Sequence, residues 1–189
     1  MSRFDVLNES NAPQASLATF EAVKENYGFL PNLMGILGAS PAAVEAYATL
    51  SGIFGKTDLT PVEQQVVLQT VNFENNCTYC VAAHSGISQR VGMAEDVLEA
   101  LRNGTTLPDA KLEALSAFTR IVVRERGYAS DDQIDAFLAA GYTKGNVLDV
   151  VLGVSLKTLS NYTNHIAETP LDGVFQGFAW TRPELASAE

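Results

Sequence analysis

Between positions 143 and 167 the chain is almost continuously apolar, with Val147, Val150, Leu152, Val154 and Leu156 at its heart. This stretch reads as the longest helix of the chain, and its apolarity predicts that it is the central, buried one. Other helices are punctuated just as clearly. Thr60-Pro61-Val62-Glu63 is a helix start, with a threonine cap, proline first and glutamate third, the pattern of a capping box. Ser40-Pro41 opens another and Ser130-Asp131-Asp132-Gln133 a third. Further helices are expected over 13–26, just after Pro31, over 94–102 and over 108–126, with Gly28, Gly38, Gly104, Gly127 and Gly141 as stops. The tail from Thr169 reads as a loop carrying one aromatic cluster of Phe175, Phe178 and Trp180. No segment alternates as a half-buried strand does. The predicted class is all-α, a single-domain helical bundle over 13–189 preceded by an N-terminal arm over 1–12.

With 189 residues, 47% hydrophobic and 18% charged, the chain can bury a sizeable core. Its formal charge of -10 argues against nucleic acid or an anionic membrane as partner. The first ten residues lack the apolar core of a signal peptide. The longest apolar region, 147–156, is too short to span a bilayer and contains Asp149 and Gly153. A soluble, cytoplasmic protein is the expectation.

The chemistry concentrates in Asn76-Cys77-Thr78-Tyr79-Cys80-Val81-Ala82-Ala83-His84, which holds both cysteines and one of the two histidines. On a helix Cys77, Cys80 and His84 share one face. Asn76 is the expected N-cap, and the positive end of the helix would favour thiolate over thiol. In a reducing compartment such a pair is catalytic or metal-binding rather than a staple. Two other readings stand beside redox chemistry. The cysteines could be ordinary buried thiols. They could also join His84 in a zinc site, with Glu74 or His165 as fourth ligand, although a second Cys-x-x-Cys knuckle is missing. Glu63 has a structural role in its capping box, and Glu74 sits three residues before Cys77. Both are candidates for proton handling. His165, near Tyr162, is a weaker candidate, since the helix dipole alone explains a histidine there.

Leu59-Thr60-Pro61-x-Glu63, a helix, and then Cys77-x-x-Cys80-x-x-x-His84 resemble the alkylhydroperoxidase D-like members of the carboxymuconolactone decarboxylase family. The resemblance implies an all-α fold assembled as dimers, trimers or hexamers. It also implies thiol-dependent hydroperoxide reduction, with a small hydroperoxide and a thiol or dithiol reductant as partners and no cofactor. By the same resemblance Cys80 attacks the peroxide, Cys77 resolves the sulfenic acid to a disulfide, and His84 relays protons with a glutamate twelve residues before Cys77. This chain has Gln65 at that position, leaving Glu63 or Glu74 as substitutes, and Tyr79 where many members have histidine. A capped helix start favours Cys77 as the more acidic thiol, whereas a base at His84 favours Cys80, and we take Cys80 as nucleophile. Two other functions are carried forward. One is a lyase acting on a lactone acid, with Arg90 near the motif to hold a carboxylate. The other is a non-enzymatic redox or zinc module.

Overall fold

Helix starts encoded by short polar side chains organise the molecule. Thr60 Oγ1 accepts from the Glu63 amide at 3.2 Å while Glu63 Oε2 accepts from the Thr60 amide at 2.9 Å, closing the predicted capping box. Ser130 with Gln133 and Thr143 with Asn146 repeat the device, and Ser40 caps alone. The computed structural model describes residues 3–183; Met1, Ser2 and 184–189, the outer ends of the expected arm and domain, lie outside the described residues. Among the described residues there are nine α-helices, two 3-10 helices and no strand. The helices are α1 (Leu17–Tyr27), α2 (Asn32–Leu37), α3 (Pro41–Phe54), α4 (Pro61–Glu74) and α5 (Thr78–Arg90). They continue with α6 (Glu95–Asn103), α7 (Ala110–Arg124), α8 (Asp131–Ala139) and α9 (Lys144–Ala167). The all-α class expected from the sequence is the class observed. No helix among the described residues is long and apolar enough to cross a membrane.

The central helix is α4 rather than α9. Every residue from Gln65 to Phe73 is buried, and α4 packs against α5, α6, α7 and α9. The apolar run of α9 instead wraps around its helix, leaving Leu148 69% and Ile166 71% exposed. Its buried stripe carries Lys157, Ser160, Asn161 and Asn164. The long, nearly continuous apolar run pointed to α9 because burial of polar groups leaves no apolar signal. Gly153 lets α9 close onto its neighbours, for a Cβ there would stand 2.7 Å from Val67 and 2.9 Å from Phe54.

Two further expectations are corrected. Asn76 is not the cap of the cysteine helix but sits at φ 53, ending α4. The Asn76 amide bonds Phe73 O at 2.9 Å and the Cys77 amide bonds Asn72 O at 2.9 Å, the two bonds of a Schellman close. Cys77 is therefore the N-cap of α5, and Cys80 falls in its first turn. The tail aromatics do not cluster with one another. Phe175 packs on Phe29, Phe178 lies against Gly86 and Trp180 tilts on Phe73, so the tail straps several elements.

Candidate functional site

Two buried polar stripes meet beneath the cysteines. On α4, Gln65, Gln69 and Asn72 follow i, i+4, i+7, and on α9 Lys157, Asn161 and Asn164 follow the same spacing. Asn161 Nδ2 donates to Asn72 Oδ1 at 3.0 Å, and Asn75 Nδ2 donates to Asn161 Oδ1 at 2.9 Å. Asn72 Nδ2 donates to the carbonyl of Cys80 at 3.3 Å, and Gln69 Nε2 to that of Val81 at 3.2 Å. These amides fix the first turn of α5 and satisfy one another, as buried polar groups must.

Cys77 and Cys80 are both free and each is 1% exposed. Asn164 Nδ2 reaches both sulfurs, at 3.1 Å from Cys80 Sγ and 3.7 Å from Cys77 Sγ. The Cys77 thiol hydrogen-bonds the Cys80 sulfur, and the Lys157 ammonium lies beside it. Burial opposes charge on Cys80. The Cys77 thiol, Lys157, Asn161 and Asn164 together outweigh that cost and bring Cys80 well below the ordinary thiol value. The hydrogen bond to Cys80 does the reverse for Cys77, and with burial it pushes that thiol up. The site thus divides the pair into a thiolate at Cys80 and a thiol at Cys77.

His84 does not meet Cys80 directly in hydrogen bonding. Its Nδ1 lies 2.8 Å from Gln65 Oε1 and its Nε2 3.1 Å from Lys157 Nζ. A carboxamide oxygen only accepts and an ammonium only donates, so Nδ1 carries the proton and Nε2 offers its lone pair. Burial first, and Lys157 second, hold His84 well below its ordinary value. The imidazole is neutral. Lys157 is the buried cation between it and Cys80; burial lowers the lysine, but Cys80 and Tyr47 more than compensate and raise it.

The carboxylates proposed from sequence point elsewhere, which corrects the expectation that either could replace the glutamate of the relay. Glu63 bonds Thr60, Lys111 Nζ at 2.9 Å and the Tyr142 hydroxyl at 3.1 Å. Glu74 makes a two-pronged pair with Arg124 at 2.7 and 2.9 Å. Neither is a hydrogen-bond partner of His84; Gln65 takes that place. Tyr79 donates to Asp172 Oδ2 at 2.5 Å, and Asp172 Oδ1 accepts from the Asn32 amide at 3.0 Å, tying the tail to α2 and α5. His165 is exposed and stacks on Tyr162, and neither lines the cavity described below. Arg90 is exposed and also off that lining. Among the described residues no three His, Cys, Asp or Glu side chains are grouped to hold a metal, so the zinc site weighed from sequence does not assemble.

A cavity of about 840 Å³ opens beside the cysteines between α1, α3, α5 and α9. Cys80, His84 and Lys157 are on its wall with Ala22, Ala48 and Leu156, and Cys77 is not. That volume is in the range of cavities that take small organic molecules. Cys80 is thus the sulfur that faces the cavity, and Cys77 is not on its wall.

Sequence reasoning missed Lys157, Asn161 and Asn164, and placed Gln65 at the relay position without giving it His84 as a partner. The available signal was the recurrence of polar side chains at i, i+4, i+7 on the longest helix, matched by the same spacing on α4.

No protein-family model matches the chain, and no curated protein matches it. Solved structures do. A protein of Ralstonia eutropha JMP134, described as an alkylhydroperoxidase AhpD core and an uncharacterized peroxidase-related protein, aligns at TM-score 0.82 and 20% identity. That alignment covers 92% of this chain and 94% of the other. An uncharacterized peroxidase-related protein of Silicibacter sp. TM1040 aligns at TM-score 0.79 and 16% identity, over 93% and 94%. An alanine-for-cysteine variant of the debrominase Bmp8, in complex with 2,3,4-tribromopyrrole, aligns at TM-score 0.77 and 16% identity, over 94% and 96%. This chain has the all-α fold of the alkylhydroperoxidase AhpD core.

Proposed function

We propose that the protein is an enzyme that reduces organic hydroperoxides with the Cys80–Cys77 pair. The carrying observation is a stabilised Cys80 sulfur on the wall of an apolar cavity, with the Cys77 thiol directly against it. The Cys80 thiolate attacks the distal oxygen of ROOH and the O–O bond breaks. Cys80 becomes a sulfenic acid and RO⁻ leaves as ROH after taking a proton. Asn164 Oδ1, buried without a partner, is an acceptor available to the sulfenic hydroxyl. Cys77 then attacks the Cys80 sulfur, the S–S bond forms and water leaves. A dithiol reductant restores the pair by exchange, which places the enzyme in a reducing compartment such as the cytoplasm. The test is steady-state consumption of an alkyl hydroperoxide with a small dithiol donor. Cys80→Ser is expected to abolish turnover, and unchanged turnover in that variant would sink the proposal.

A second reading uses the same thiolate on a halogenated ring, and the apolar cavity favours it as well. Cys80 would take the halogen as S–Br, the ring carbon would take a proton, and Cys77 would expel bromide as the disulfide forms. Bromide release from a bromopyrrole under dithiol, at a rate exceeding hydroperoxide consumption, would put this reading first. In either case we propose self-association through the exposed α9 stripe of Leu148, Val151, Tyr162 and Ile166. Sedimentation velocity showing a monomer at micromolar concentration would remove that part.

A further inference from the structure

Cleavage of the O–O bond leaves an alkoxide that needs a proton, and the surroundings of Cys80 limit where it can come from. Cys77 cannot spare its own, because that hydrogen departs in the water released as the disulfide closes. His84 has no proton on the nitrogen nearer the site; Nε2 accepts from Lys157, and the Nδ1 hydrogen is held by Gln65. Glu63 and Glu74 are engaged with Lys111 and Arg124. Tyr79 is committed to Asp172, and burial with that bond pushes its hydroxyl up. Lys157 remains. It is 1% exposed, lines the cavity beside Cys80 and pairs with no carboxylate among the described residues.

Building on the hydroperoxidase reading above, we infer that Lys157 is the general acid of this site, protonating the departing alkoxide from its ammonium. The first step balances as Cys80-S⁻ + ROOH + Lys157-NH₃⁺ giving Cys80-SOH + ROH + Lys157-NH₂. Cys77-SH and Cys80-SOH then give the disulfide and water. The geometry makes the transfer one-way until the enzyme is reduced. While Cys80 is a thiolate, the buried ammonium has its counter-charge. Once the sulfur is in a neutral disulfide, the charge is unpaired and the amine is the favoured form. The groups facing Lys157 are Cys80, Cys77 and His84 around α5 and Tyr47 on α3, and of these only Cys80 supplies a compensating anion at neutral pH. His84 Nε2 still accepts an N–H from the neutral amine, so the side chain keeps its position through the cycle. Gln65 fits this scheme, because a carboxylate at that position would favour an imidazolium and place a second cation against Lys157. Reduction by a dithiol returns one proton to Lys157 as the thiolate reforms.

The experiment is a single turnover of the reduced full-length protein with one equivalent of an alkyl hydroperoxide in weakly buffered solution near pH 7. Thiolate absorbance at the start, disulfide formation and proton exchange with solvent are recorded together. The expected result is a thiolate at the start, one disulfide formed and no net proton taken from solvent. Uptake of one proton per disulfide would mean that Lys157 stays charged, overturning the inference while leaving the hydroperoxidase reading intact. Absence of thiolate at the start would overturn it as well. Absence of any disulfide would overturn both. Lys157→Arg separates charge from proton supply, since a guanidinium holds the thiolate but does not deprotonate. It should keep the thiolate absorbance and slow the peroxide step on the order of 100-fold. Lys157→Met should lose the thiolate signal at neutral pH. An arginine variant with the wild-type rate and an unshifted pH profile would overturn the assignment.

Discussion

The two hydrophobic clusters among the described residues are built to opposite specifications. In the cluster centred on α4, α7 and α8, Phe137 stacks on Phe118 at 4.4 Å and on Tyr142 at 4.6 Å. Its edge polar groups find ordinary partners: Tyr142 donates to Glu63, and Glu63 pairs with Lys111. Burial raises Glu63, but the bonds from Thr60, Lys111 and Tyr142 win and keep it ionised below its usual range. The cluster around Phe20, Leu33, Met34 and Cys80 borders the 840 Å³ cavity and keeps a lysine, a neutral histidine and a thiolate, none of them bonded to a carboxylate among the described residues. One region spends its apolar contacts on closure, and the other leaves space and imbalance. Stability and chemistry can therefore be perturbed separately.

The largest expected effect is on chemistry. Cys80→Ser should lower hydroperoxide turnover on the order of 1000-fold or more, with a stability loss no larger than the thiolate's own contribution. A stability loss matching the activity loss would erase the distinction between the regions. In the closed cluster, Phe137→Ala should cost about 3–5 kcal/mol in denaturant unfolding and leave the Cys80 thiolate absorbance of the folded protein where it was. A shifted thiolate signal would show that the clusters are coupled. Next in size, Gln65→Glu places a carboxylate on His84 Nδ1 and should raise the imidazole's pKa, read by NMR titration. An unmoved His84 would contradict the assigned Gln65 bond.

The smallest effect is a pH dependence. Cys80 ionises below the ordinary thiol value in the folded protein, so the unfolded chain binds more protons. Stability from this group is complete above the unfolded thiol value of about 8.5 and is lost as the pH falls through the folded value. Reduced Lys157→Arg minus Lys157→Arg/Cys80→Ala, compared in urea at successive pH values, should therefore shrink on acidification, because the guanidinium stays charged in both. His84 is present in both proteins and cancels. A difference flat in pH would contradict a thiolate at Cys80.

Much of the scaffold was legible because its signals are local. Thr60, Ser40 and Ser130 name their helices through side chains that reach only three residues ahead. The cysteine motif was legible for the same reason, being spaced along one helix. What escaped depends on pairing across helices. Lys157 reads as a solvated charge until α4 and α5 close over it, and Gln65 reads as an inert amide until it meets His84. Asn76 was misplaced because a good cap residue is also a good left-handed residue, and only the Asn72–Cys77 bond decides between them. Ranking helices by apolarity favoured α9 over α4 because buried amides such as Gln69 and Asn72 count against a helix in that measure and for it in the fold.

The central claim is that Cys80 is the attacking sulfur and Cys77 the one that closes on it. Thiol titration of the reduced protein before and after one equivalent of alkyl hydroperoxide, with mass analysis of the peptide spanning both cysteines, tests this most directly. Both thiols should disappear together and the peptide should carry an internal disulfide, while Cys77→Ser should halt at a sulfenic acid on Cys80. Two thiols still titratable after peroxide, or a sulfenic acid trapped on Cys77, would contradict it.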